Sequence, residues 1–172
     1  MSNAGIQPRQ ILSSLRQSNP NTRAIAKTIY NERRKIQQEN LKGKSLIQQL
    51  CEELGKGGFK FNLLQDEVGH ITHLFFSHPQ SITLTRNFPT VFVMDCTYNT
   101  NKYKMPLLDI VGITSHNTTF YSGFVFLKKE STEYHMWALQ MFKETLQHEN
   151  QPSVIMTDRE QALLNAISIV FP

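Results

Sequence analysis

Two aspartates in this 172-residue chain stand where the residue pattern places the ends of strands. Asp95 follows the apolar run VFVM (91–94) and precedes the polar stretch CTYNTN. Asp158 follows VIMT (154–157), 63 positions later. Both runs have the residue types of strands. Carboxylates brought together at neighbouring strand ends repel, and each resists ionisation unless a cation lies between them. Mg²⁺ or Mn²⁺ suits such oxygen ligands and often bridges to substrate phosphates. The chemistry so prepared is phosphoryl transfer. A plainer reading stands beside it: Asp95 starts a turn, and Asp158 caps the helix that begins near Arg159. Residue types and spacing leave both readings open.

The elements that must position this pair begin near Pro89. Strands are predicted at TVFVMDCTY (90–98), LLDIVGITS (107–115) and TFYSGFVFL (119–127), the last two joined by a turn at His116-Asn117. A helix is predicted from Thr132 to Glu149, with Met136, Leu139, Phe142 and Leu146 as its inner stripe. Gln151-Pro152 breaks it, SVIMTD (153–158) is a fourth strand, and a second helix follows with Ala162, Leu163, Ala166 and Ile167 inward. The order is β-β-β-α-β-α, an α/β class. Three strands joined by short turns are antiparallel neighbours. The helix then returns the chain, and a right-handed crossover sets the fourth strand parallel to the first. Asp95 and Asp158 would then lie at adjacent carboxyl ends, about 5 Å apart in the pairing direction, where ligands bind in such sheets.

Upstream, residues 5–56 read as a basic helical extension, and residues 57–87 as a β-hairpin and linker with strands near 59–65 and 70–77. Helical spacing covers residues 7–17; Pro20 forces a turn, and Thr22 is placed to cap a second helix reaching Leu41. A third short helix is predicted over 45–54. The first two have the form of a helix-turn-helix. Arg23, Lys27, Arg33, Arg34 and Lys35 are its candidate DNA contacts, and the alternative is a basic helical pair packed on the rest of the domain. Residues 1–60 hold eleven Lys and Arg against four Asp and Glu, a net of +7, while residues 61–172 carry a net of −3. Basic charge concentrated in one segment is the footprint of a polyanion-binding arm. Lys102 and Lys104, after Asp95, are candidates for phosphate contact or plain solvent-facing lysines. Asp109 reads as a turn or helix-contact residue, and Cys96 as buried and inert. Two cysteines, Cys51 and Cys96, are too few for a disulfide framework. No apolar run approaches the roughly 18–20 residues that span a bilayer.

The segments DCTYNTNKYKMPLLDIVG, FVFLKKESTEYHMWAL and PSVIMTDREQALLNAISIVFP together resemble the transposase core of Mutator-like elements, densely over residues 88–172. The resemblance implies an RNase H-like fold and a DDE/D catalytic triad. In it Asp95 matches the first acidic residue and Asp158 the second, both as Mg²⁺ or Mn²⁺ ligands in transposon-end cleavage and strand transfer. It implies DNA as partner (transposon ends and target DNA), a nuclear setting, and room for a homo-oligomer. The family's third acidic residue lies well beyond the second, and neither Glu130, Glu133 nor Glu160 occupies its place. The expectation is therefore a core truncated before its last strand and helices and inactive as it stands. The alternative is a transposase-derived DNA-binding or regulatory protein without catalysis.

Overall fold

The computed structural model describes residues 7–41, 45–98, 101, 103–146 and 150–172. The chain divides into two compact units, residues 1–50 and 51–172. In the first, α1 (Pro8–Ser18) packs against α2 (Ala26–Leu41). Pro8 opens α1 at a position where its missing N–H is no loss, and the Gln10 side chain accepts from Gln7 N at 3.3 Å. Asn19, held extended by Pro20, closes it. Thr22 does not cap α2. Its hydroxyl accepts locally from Ala24 N at 3.4 Å, and helix starts four residues later at Ala26. The link between α1 and α2 thus runs from residue 19 to 25, longer than the turn of about three or four residues in a helix-turn-helix. The helix α3 (Leu46–Lys56) follows.

The second unit is built on one mixed sheet of six strands: β1 (Lys60–Gln65), β2 (Ile71–Ser77), β3 (Val91–Thr97), β4 (Leu107–Ile113), β5 (Thr119–Leu127) and β6 (Val154–Thr157). They lie in the order β1-β2-β5-β4-β3-β6. All neighbours are antiparallel except β3 and β6, which are parallel. From Val91 onward the order is β-β-β-α-β-α, with α5 (Thr132–Thr145) and α6 (Gln161–Val170) as its helices. The expected end of the first of these at Glu149 lies outside the described residues. The hairpin β1–β2 is not a separate linker element: β2 pairs with β5 and extends the same sheet. Its turn is held by Asp66 Oδ1, which accepts from Val68 N at 3.2 Å and His70 N at 2.8 Å. Gly69 takes the left-handed φ of 87° that the turn requires.

Helix α4 (Pro79–Asn87) lies where sequence pattern offered only a linker. His78 caps it, its Nδ1 accepting from Gln80 N at 3.2 Å, and Pro79 fills the first helical position. Ile82 and Thr85 are its buried residues.

Strand alternation divides β3 and β4 between two faces. Phe92, Met94, Leu108 and Ile110 form one core with Leu139 and Phe142 of α5 and Leu163 and Ala166 of α6. The inner stripe of α5 starts one residue earlier than expected: His135 is fully buried and Met136 only partly. On the other face Val91, Val93, Leu107, Asp109 and Val111 are half-buried and Asp95 is exposed. Among the described residues no helix is long and apolar enough to cross a membrane.

Candidate active site

Asp95 lies near the carboxyl end of β3, and Asp158 follows β6 directly. The parallel register runs from Val91↔Val154 to Met94↔Thr157, so the two aspartates are the next residue on each strand. Both are exposed. Neighbouring strands lie about 5 Å apart, and the convergence expected from the alternation and crossover is realised in the pairing.

A third carboxylate stands in the same row. Asp109 is not in a turn; it is mid-strand in β4, with Asp95 as its direct cross-strand partner. Residues so paired share a face, and like charges there repel. Asp109 Oδ1 is buried with no hydrogen-bond partner. Loss of solvent pushes its carboxyl above the usual range, and the charge of Asp95 adds to the shift.

The turns that carry the two strand ends are tied to the start of α5. Asp158 Oδ1 accepts from Glu160 N at 3.2 Å and from Thr157 Oγ1 at 3.4 Å. Asp158 therefore sits two residues before the N-cap of α6, which is Glu160. His135 Nε2 lies 3.2 Å from each oxygen of Glu160. Burial pushes the Glu160 carboxyl up, the nearby His135 pulls it down, and Glu130 raises it further. On the other strand, the Tyr98 hydroxyl donates to Glu130, and that bond raises the phenol to about 12. Cys96, one residue from Asp95, packs toward the core, and burial raises its thiol well above the ordinary range. The loop after β3 is organised by Asn101, whose Oδ1 accepts from Tyr103 N at 3.0 Å and Met105 N at 3.1 Å.

The basic candidates fall in two places. Arg23, Lys27, Arg34 and Lys35 are exposed in the helical unit, Lys35 within 3.5 Å of Glu32. Lys104 is exposed in the loop after β3 with a left-handed φ of 55°. Lys102 and the side chain of Arg33 lie outside the described residues. Among the described residues no group of three or more His, Cys, Asp or Glu side chains is arranged to hold a metal ion. Asp95 and Asp158 supply two hard oxygen donors, the type Mg²⁺ and Mn²⁺ take.

Asp109 and the His135–Glu160 pair escaped the sequence pattern. The alternation in LLDIVGI signals that Asp109 faces away from the core, but not which residue it meets.

The chain is similar to Protein FAR1-RELATED SEQUENCE 6 of Arabidopsis thaliana, 28% identical over 120 residues, 70% of this chain and 17% of that protein. It is similar to Protein FAR1-RELATED SEQUENCE 5 of the same plant, 24% identical over 177 residues, 98% of this chain and 22% of that protein. It is also 30% identical over 177 residues to the PKS-NRPS hybrid synthetase cheA of Chaetomium globosum (strain ATCC 6205 / CBS 148.51 / DSM 1962 / NBRC 6347 / NRRL 1970), 98% of this chain but 4% of that protein. The chain thus spans less than a quarter of each of these relatives. No solved structure matches it. Residues 91–172, the segment that carries Asp95, Asp109 and Asp158, match the MULE transposase domain, and it is this segment that belongs to the MULE transposase family.

Proposed function

We propose that residues 91–172 are part of the catalytic core of a DDE/D transposase with an RNase H-like fold, in which Asp95 and Asp158 hold Mg²⁺ or Mn²⁺ for cleavage and strand transfer of DNA. The parallel register of β3 with β6 carries this reading, because it sets the two aspartates side by side within the family-matched segment. When bound, the ion stabilises charge on the reacting phosphate oxygens. The chain's own contribution is to fix the two carboxylates at adjacent strand ends and to keep Asp158 oriented through the Glu160 N–H. The substrate is DNA, transposon ends and target, and the setting is the nucleus. The exposed Arg23, Lys27, Arg34 and Lys35 supply phosphate contacts, as does Lys104 in the loop after β3.

Binding of Mn²⁺ to this chain, followed by water-proton relaxation with and without DNA, tests the metal site. Asp95→Ala and Asp158→Ala should each weaken it by at least about 100-fold, at or beyond the upper end of the roughly 10–100-fold of a residue that only supports a ligand. A wild-type chain that takes up no Mn²⁺ in either condition removes the reading.

A second reading, a transposase-derived DNA-binding or regulatory protein that does not cut, draws on the basic helical unit, whose charge is independent of the acidic pair. DNA affinity that falls steeply with salt and is indifferent to Asp95→Ala, joined to absent Mg²⁺-dependent nicking in a longer protein that contains this chain, decides for it.

A further inference from the structure

Asp158 lies one residue beyond the end of β6. A chain of contacts runs from it inward to α5. Glu160 N donates to Asp158 Oδ1, and Glu160 Oε1 in turn pairs with His135 Nε2 at 3.2 Å, while Oε2, equally near, makes no hydrogen bond. His135 is 0% exposed, and its other nitrogen, Nδ1, has no hydrogen-bond partner. Glu160 is therefore the polar contact of a wholly buried imidazole. If the turn moved away, that imidazole would be left uncompensated in the core, which a buried polar group strongly resists. His135 belongs to the inner stripe of α5 with Ala138, Leu139 and Phe142, all at 0% exposure, so its ring is fixed by packing. The start of α5 also receives the other loop, since Tyr98 donates to Glu130.

We propose that His135 is a positioning residue for Asp158: through Glu160 it anchors the turn over residues 157–161 and keeps the Asp158 carboxylate in place beside Asp95. Its consequence for metal binding rests on the function proposed above; the anchoring itself does not. Two variants separate this from plain packing. His135→Leu keeps an apolar filler of similar reach and removes the nitrogen. His135→Gln restores an N–H donor. The readouts are amide hydrogen exchange at Glu160 by NMR and Mn²⁺ affinity.

His135→Leu should speed exchange at Glu160 about tenfold and weaken Mn²⁺ about tenfold, the lower end for a residue that supports a ligand. His135→Gln should return both to within about threefold of wild type. If His135→Leu does not fold, Glu160→Ala takes its place with the same expectation at the residue 160 amide. Exchange at residue 160 unchanged in the leucine or alanine variant overturns the proposal. So does a glutamine variant that fails to rescue while amides throughout α5 also exchange faster, since that is a packing defect. If wild type binds no Mn²⁺, the metal reading fails, and exchange at Glu160 alone still decides whether His135 anchors the turn.

Discussion

The two faces of β3 carry alternate residues of one strand and have opposite fates. Phe92 and Met94 are 0% and 1% exposed within the core built with α5 and α6, whereas Val91 and Val93 are half-buried and Asp95 is exposed. Cys96 and Asp95 are adjacent in sequence, yet one packs toward the core as an inert thiol and the other stands exposed in a row of acids. The face under the helices supplies most of the apolar burial that stabilises the fold. The opposite face is thereby free to carry charge, at a cost to the fold where that charge is desolvated.

This division can be broken first by stability. Met94→Ala should lose about 2–5 kcal/mol on thermal or denaturant unfolding, as buried large-to-small changes do. Asp95→Ala, one residue away, should stay within about 0.5 kcal/mol, as exposed positions do. Equal losses at the two positions would end the distinction. A smaller effect sharpens it. Asp109→Asn should stabilise the protein at neutral pH, on the order of 1 kcal/mol, by removing a charge from a desolvated oxygen without a partner. The sign follows from linkage. The Asp109 carboxyl is raised above its ordinary 3.8 in the folded state, so its ionised form opposes folding above the folded pKa, and that penalty fades as pH falls through it. The advantage of the Asp109→Asn variant over wild type should shrink in the same window, and an advantage independent of pH would assign it to something other than charge. The smallest effect is chemical. Cys96 should react with a disulfide reagent about threefold or more slowly than Cys51, since both thiols are raised by burial but Cys96 the further. Mass mapping of the first labelled cysteine checks this.

Much of the second unit was legible in its sequence, because the runs before Asp95 and Asp158 are short, apolar and rich in β-branched residues, and the α5 stripe recurs at helical spacing. The parallel pairing of β3 with β6 followed from topology rather than from any local signal. Helix α4 was hidden because PQSITLTRN buries only Ile82 and Thr85 and is rich in residues indifferent to helix. The α5 stripe was read correctly at Leu139, Phe142 and Leu146, but His135 was left out of it because it looks polar in sequence and packs as core. Asp109 and Glu160 could not be placed from their own neighbours. Their roles come from register and from a contact across 25 residues, and neither leaves a periodic trace.

The pairing of β6 has a consequence in time. Asp95 and Asp109 are 14 residues apart and meet across a local hairpin, whereas Asp95 and Asp158 are 63 apart, and their strands join only after α5 has formed between them. Contacts between distant parts of a chain bear the greater closure entropy and form later. A newly made chain is therefore expected to form the β3–β4 hairpin before the acidic pair exists. Under the function proposed above, uptake of a divalent ion would report that β6, the four-residue edge strand, has docked.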